Sequence, residues 1–219
     1  MNADLLALVP PGARRVVEAG CADGELARAY LARHPGCEYV GIELDAAKAA
    51  LARPGLARVI EADIEGMDAA ALGSLAPVDV WVFGDVLEHL VDPWALLARV
   101  RVTLAPDGVV VACIPNMQHW SVAVRLVLGE LFYEDAGLLD RTHLRWFTRA
   151  TLGAMFRDAG YAVTRLERRV FDSPMRERAL QAVGSFANVM GAKPHAVMAD
   201  ADVFQWVVEA RAVQREAGE

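Results

Sequence analysis

Five short apolar runs, separated by helical patterns, constrain this chain more than any other feature in it. The runs fall at residues 15–19, 38–43, 57–62, 78–83 and 108–114. Their near-continuous Val and Ile content suits strands buried on both faces of a parallel sheet. Helical spacing fills residues 24–33, 46–52, 68–73 and 93–104 between them. Asp92 stands as an N-cap with Pro93 at the first helical position, and Leu97, Val100 and Leu104 then share one face. Pro106-Asp107-Gly108 reads as the turn into the next strand. A strand–helix rhythm of this kind predicts an α/β fold with right-handed crossovers.

The rhythm changes after Pro115. An amphipathic segment, residues 118–131, runs into an aromatic and charged stretch, residues 132–147. Thr148 reads as an N-cap, followed by a core-facing stripe of Leu152, Met155, Phe156 and Ala159. Gly160 closes that helix. Strands are expected at 161–170 and 203–213, with residues 171–202 between them helical around 177–190. At 219 residues the chain can bury one sizeable core, so residues 1–219 read as a single domain.

The net charge of −7 argues against a general nucleic-acid binder. Arg141, Arg145 and Arg149, and then Arg165, Arg168 and Arg169, are local basic groups, the second set reading as a solvated edge. Cys21, Cys37 and Cys113 are too scattered for a disulfide framework or a Cys-x-x-Cys site. They fit a reducing cytoplasm. The first residues lack the build of a signal peptide, and no apolar run is long enough for membrane insertion.

The residues that can carry chemistry sit where predicted strands end. The first strand ends in Glu18-Ala19 and runs into Gly20-Cys21-Ala22-Asp23-Gly24. A tight loop between a strand and a helix N-terminus is a place to hold a nucleotide-like ligand. Ala22 stands where a middle glycine would let the backbone approach that ligand, and alanine is the next smallest residue. Glu18 can accept from loop amides or a ligand ammonium, or simply brace the turn. Glu43 ends the second strand about 20 positions on, where a carboxylate can take both hydroxyls of a ribose. Asp45 competes with it but fits better as a helix cap. Asp63, beside Ile64, can accept from an adenine amino group or be an ordinary turn aspartate. The fourth strand leads into Gly84-Asp85-Val86-Leu87-Glu88-His89. Carboxylates and imidazole there can hold an ammonium, remove a proton or bind a divalent metal, or only organise the turn before Pro93.

In order and spacing, these segments resemble the motifs of class I S-adenosylmethionine-dependent methyltransferases. Val16 to Gly24 resembles the first motif, Gly41-Ile42-Glu43 the ribose-binding acid, and Ala62-Asp63 the adenine motif. Residues 79–90 and 104–114 resemble the segments around the fourth and fifth strands. The resemblance implies a Rossmann-like, seven-stranded, mostly parallel sheet with the last strand antiparallel and helices on both faces. It implies S-adenosyl-L-methionine as cofactor, held by Glu18, Gly20, Cys21, Ala22, Asp23, Gly24, Glu43, Leu44, Asp63, Ile64, Gly84 and Asp85. S-adenosyl-L-homocysteine would be its product.

Residues 137–148 are similar to a signature of small bacterial methyltransferases of glycan pathways. That implies an acceptor hydroxyl on a sugar, glycan or small polar metabolite, with residues 116–147 as its cover. Residues 171–202 are then an insertion between the last two strands. His143 or His89 would take the proton, oriented by Asp85 or Asp140, with His119 a third candidate. Trp146 and Phe147 are expected in the core. No metal is assigned, a divalent cation being the less favoured reading. The apolar face of residues 122–131 suits lid packing or a homodimer. The alternatives are N- or C-methyl transfer, a non-catalytic cofactor-binding partner and, least favoured, an NAD-dependent dehydrogenase. The last would need a second loop glycine at the spacing of a dinucleotide loop, which this chain lacks, and the antiparallel-looking chain end counts against it too.

Overall fold

A computed structural model gives the fold and describes residues 1–213. Sixteen helices and strands follow in order: α1 Ala3–Leu8, β1 Arg15–Ala19, α2 Glu25–Leu31, β2 Glu38–Glu43, α3 Ala46–Ala52, β3 Arg58–Glu61, α4 Ala69–Gly73, β4 Val78–Gly84, α5 Pro93–Arg101, β5 Leu104–Pro115, α6 Trp120–Leu128, α7 Arg149–Asp158, β6 Tyr161–Arg169, α8 Arg176–Val189, α9 Pro194–Ala201 and β7 Gln205–Ala212. The strands form one seven-stranded sheet in the order β3-β2-β1-β4-β5-β7-β6. Neighbours among β1 to β5 pair in parallel, and β7 is antiparallel to both β5 and β6. The expected α/β sheet with its antiparallel last strand is what the chain adopts.

Successive strand residues point to opposite faces, so β1, β2, β4, β5 and β7 feed two cores. Val17, Trp81, Phe83 and Val110 pack on one face with Leu96, Leu97 and Val100 of α5 and Phe156 of α7. Val16, Tyr39, Val80 and Val111 pack on the other with Leu5 of α1 and Leu26 and Tyr30 of α2. Three helices begin at the caps the sequence offers. Asp45 accepts from the Ala47 amide at 2.8 Å, Asp92 from Ala95 at 2.9 Å, and Thr148 forms a reciprocal capping box with Thr151.

Three expectations need correcting. The turn at Pro106–Gly108 is a bulge inside β5, which starts at Leu104 and shifts register against β4 between Val78 and Val80. Residues 171–202 hold two helices, because Pro194 opens α9 at a position where proline is tolerated. Phe147 is buried, but Trp146 is half-exposed, since its neighbour takes the inward-facing place.

The order reverses at β1, with β2 and β4 on either side. In such sheets a crevice opens above the carboxyl ends of the strands at that point. An antiparallel strand starts where its neighbours finish, so β7 brings Gln205 to the same edge, opposite Pro115 of β5. β6 runs with the parallel set and ends there in Arg169.

Candidate functional site

Two cavities lie side by side along this edge. The first, of about 310 Å³, is lined by Gly20, Ile42, Glu43, Leu44, Ala62, Asp63, Ile64, Glu65, Asp85, Val86, His89 and Leu90. The second, of about 250 Å³, is lined by Asp85, Glu88, His89, Pro115, Gly137, Leu138, Asp140, His143, Arg169, Phe204 and Gln205. Asp85 and His89 belong to both walls.

The loop after β1 is held in conformations that side chains disfavour. Gly20 has φ +68°, and a Cβ on it would lie 2.6 Å from Val86 Cγ2. Ala22 sits at φ +47° without glycine's freedom. Glu43 supports it: one carboxylate oxygen accepts the Ala22 amide at 2.8 Å and the other the Asp45 amide at 2.9 Å. Asp85, after β4, is the second non-glycine residue with positive φ, at +56°. Strain of this sort collects at ligand sites, and here it falls on the loops that frame the first cavity.

Glu18 lies behind this loop. It is buried, accepts from the Tyr39 hydroxyl at 3.0 Å, and burial pushes its carboxyl up to about 8. Cys21, Ala22, Asp23 and Gly24 shape the turn without lining the cavity. Gly84 also stands outside the wall and makes room for α1, since a Cβ there would meet Leu5 Cδ2 at 2.9 Å.

The second cavity is roofed by the stretch before α7. The Leu144 and Arg145 amides both donate to the Glu88 carbonyl, at 2.8 and 2.9 Å, and Arg145 also donates to the Val91 carbonyl. Thr142 donates its hydroxyl proton to Asp140 at 2.6 Å. That assigns the proton between Thr142 and His89 to His89 Nδ1, which lies 3.0 Å from the Thr142 hydroxyl and 3.2 Å from its carbonyl. His143 Nδ1 lies 3.4 Å from the Leu138 carbonyl. In its neutral form each imidazole thus keeps an Nε2 lone pair. The two rings meet edge to face with centroids 4.7 Å apart.

Burial holds the His143 pKa below its ordinary value, His89 adding to the effect. Hydrogen bonds from Thr142 hold Asp140 below the carboxylate range. Glu88 is 1% exposed, and neither carboxylate oxygen has a hydrogen-bond partner. Burial, reinforced by Asp85 and Asp140, pushes its pKa well up.

Gln205 Nε2 donates to Asp85, and Arg169 donates to Gln205 Oε1 at 2.5 Å. Burial raises the Asp85 carboxyl, against Arg169, Gln205 and His89. Arg169 and Gln205 were not singled out from the sequence as site residues. Their signal was positional, at the end of one strand and the start of its antiparallel partner. His119 is outside both walls. It caps α6 through Ser121, and burial lowers its pKa to about 4.

A reversed-order α/β sheet with paired cavities at its carboxyl edge defines a nucleotide-type ligand-binding domain of the Rossmann-like class. The methyltransferase-domain family profile matches residues 2–166, and the chain belongs to that family. The trans-aconitate 2-methyltransferase of Methylobacterium nodulans is 35% identical over 134 residues, 58% of this chain and 50% of the relative. The chain therefore matches about half the length of that curated relative. Among solved structures, a SAM-dependent methyltransferase from Archaeoglobus fulgidus aligns with TM-score 0.65 and 18% identity, over 95% of this chain and 91% of that one. The O-methyltransferase NcsB1 of neocarzinostatin biosynthesis, solved with S-adenosyl-L-homocysteine and 1,4-dihydroxy-2-naphthoic acid, aligns with TM-score 0.56 and 19% identity. It covers 96% of this chain and 51% of that one. These likenesses in structure are likenesses of fold. No helix among the described residues is long and apolar enough to cross a membrane.

Proposed function

We propose that this chain transfers a methyl group from S-adenosyl-L-methionine to a hydroxyl of a sugar, glycan or small polar metabolite. The observation that carries the reading is the meeting of the two cavities at Asp85 and His89. The donor set of the first cavity fits the cofactor. Each Glu43 oxygen keeps a lone pair for a ribose hydroxyl after accepting its amide. Asp63 has one oxygen engaged by the Glu65 amide and the other free for an amino group. Ile64 and Leu90 supply apolar flanks, and Gly20 closes the end, its loop held in place by the turn through Gly24. S-adenosyl-L-methionine, when bound, supplies an electrophilic methyl carbon on a sulfonium.

The chain must align an acceptor lone pair with that carbon, exclude water and remove the acceptor proton. Residues 116–147 cover the second cavity, as part of one methyltransferase domain in which residues 171–202 are an insertion. His143 or His89 accepts the proton through Nε2, a contribution of ~10²–10⁴-fold for a positioned base. Asp85, braced by Gln205, orients the acceptor. The free cysteines fit a reducing cytoplasm. Exposed Leu126, Val127 and Leu128 suit burial against a second copy of the chain.

A second acceptor class follows from one residue. Arg169 in the wall of the second cavity suits a carboxylate, and the curated relative is named for trans-aconitate. Transfer of radiolabelled methyl from S-adenosyl-L-methionine to panels of sugars and of small polycarboxylic acids separates the two. The leading reading expects turnover on a sugar panel member, reduced at least tenfold by His143→Ala with cofactor binding intact. Cofactor binding without transfer to any hydroxyl or carboxylate acceptor would leave a non-catalytic partner as the better account.

A further inference from the structure

We propose that Glu88, His89 and His143 form a binding site for one divalent transition-metal cation in the wall of the second cavity. One donor atom from each residue lies within 4.8 Å of those of the other two. Ligands around one ion sit about 3–4.2 Å apart at bond lengths of about 2.0–2.2 Å, so modest side-chain rotation closes the set. The hydrogen bonds leave three acceptors facing one another. His89 spends its Nδ1 proton on Thr142, and His143 spends its own on Leu138. What remains on each neutral ring is a bare lone pair, which takes a proton in the metal-free chain and the ion in the loaded one, where the ion instead lowers the acceptor's proton affinity. Glu88 adds two carboxylate oxygens with no hydrogen-bond partner, at 1% exposure.

A buried carboxylate without a partner is costly, and a cluster of lone pairs around it cannot supply one. A cation satisfies all three groups together. The surroundings already resemble the outer shell of a metal site. Ligating histidines characteristically donate the second ring nitrogen to a carbonyl or carboxylate, which fixes tautomer and orientation. Here His143 meets a carbonyl, and His89 reaches the Asp140 carboxylate through Thr142.

Two imidazoles and one carboxylate favour zinc, cobalt, manganese or iron(II) over magnesium or calcium, which prefer oxygen alone. Three protein ligands leave positions open toward the same cavity. The acceptor class this selects is one that offers an oxygen, or a pair of neighbouring oxygens, to the ion. That last step rests on the methyl-transfer reading; cation binding does not.

The test uses the full chain, stripped with a chelator, desalted and titrated with Co²⁺. We expect one equivalent to bind with visible ligand-field bands and to be displaced by Zn²⁺, while Mg²⁺ has no effect. Glu88→Gln and His143→Ala should each weaken Co²⁺ at least tenfold, and His195→Ala, on the exposed surface, should not. The thermal shift given by S-adenosyl-L-methionine reports that each variant is folded. If His143→Ala fails to fold, the near-isosteric Glu88→Gln carries the same expectation. The proposal falls if the wild type takes up neither Co²⁺ nor Zn²⁺ stoichiometrically. It also falls if a folded Glu88→Gln variant keeps wild-type affinity. Stoichiometric Co²⁺ uptake without any cofactor-induced shift would keep the cation site and remove the methyl-transfer reading.

Discussion

Two buried glutamates behave differently because of what faces them. Glu43 accepts two amides of adjoining loops and so holds Ala22 in a conformation it would otherwise leave. Glu43→Ala should lower S-adenosyl-L-methionine affinity about 10–100-fold in calorimetry. It should also cost ~1–3 kcal/mol of stability, the penalty of unpartnered amides. Glu18 has only the Tyr39 hydroxyl, and its pKa rises from an ordinary 4.5 to about 8. The unfolded chain releases this proton near pH 4.5 and the folded chain near pH 8. Between those values the folded state holds the extra proton, so this group makes stability fall as pH rises from 4.5 to 8. Glu18→Gln keeps an acceptor for Tyr39 and removes the slope. Denaturant melts should show the variant gaining up to about 4 kcal/mol over wild type at pH 8 and nothing at pH 4. A gain equal at both pH values would show that the carboxyl is not the cause.

Among the elements, α7 has the clearest local origin. Thr148 Oγ1 accepts from the Thr151 amide at 3.3 Å, and the Thr148 amide donates to Thr151 Oγ1 at 2.9 Å. Thr148→Ala removes half of this exchange and should lower stability by about 1 kcal/mol in a chemical melt. Activity should fall little, since α7 lines neither site cavity. Elements with such local signals were legible in advance. β1, β2 and α3 occupy the residues their apolar runs and caps predicted, because a buried parallel strand must be apolar throughout. α9 was not legible: Lys193 offers no side-chain cap, and the residues after Pro194 mix Ala, Met and Asp without a strong stripe. The site divides the same way. Glu43, Asp85 and His89 follow parallel strands and were found by looking at strand ends. Gln205 opens an antiparallel strand, so the same rule applied to its end would point to the wrong edge. The isolation of Glu88 depends on the stretch that roofs it from more than fifty positions away, and no local pattern announces it.

For the whole molecule, the two cavities sit on loops that carry strain while the central strands of the sheet beneath them are packed on both faces. Ligand binding should therefore add stability rather than rearrange the core. A ligand that binds only the folded chain stabilises it by RT ln(1 + [L]/Kd), about 2.7 kcal/mol at a hundredfold excess over Kd. In a domain of this size that corresponds to a Tm rise of ~5–10 °C. S-adenosyl-L-methionine and S-adenosyl-L-homocysteine should both give it, since the wall of Gly20, Glu43 and Asp63 is expected to hold the parts they share. NAD should not, because the loop has one fewer glycine than a dinucleotide's pyrophosphate requires. The comparison also separates the two cavities. Glu43→Ala should reduce the cofactor-induced shift by several degrees. His143→Ala, on the far side of Asp85, should leave it within a degree or two while turnover falls. If His143→Ala erased the cofactor shift instead, the division of labour between donor and acceptor cavities would be wrong. The two would then have to be treated as one site.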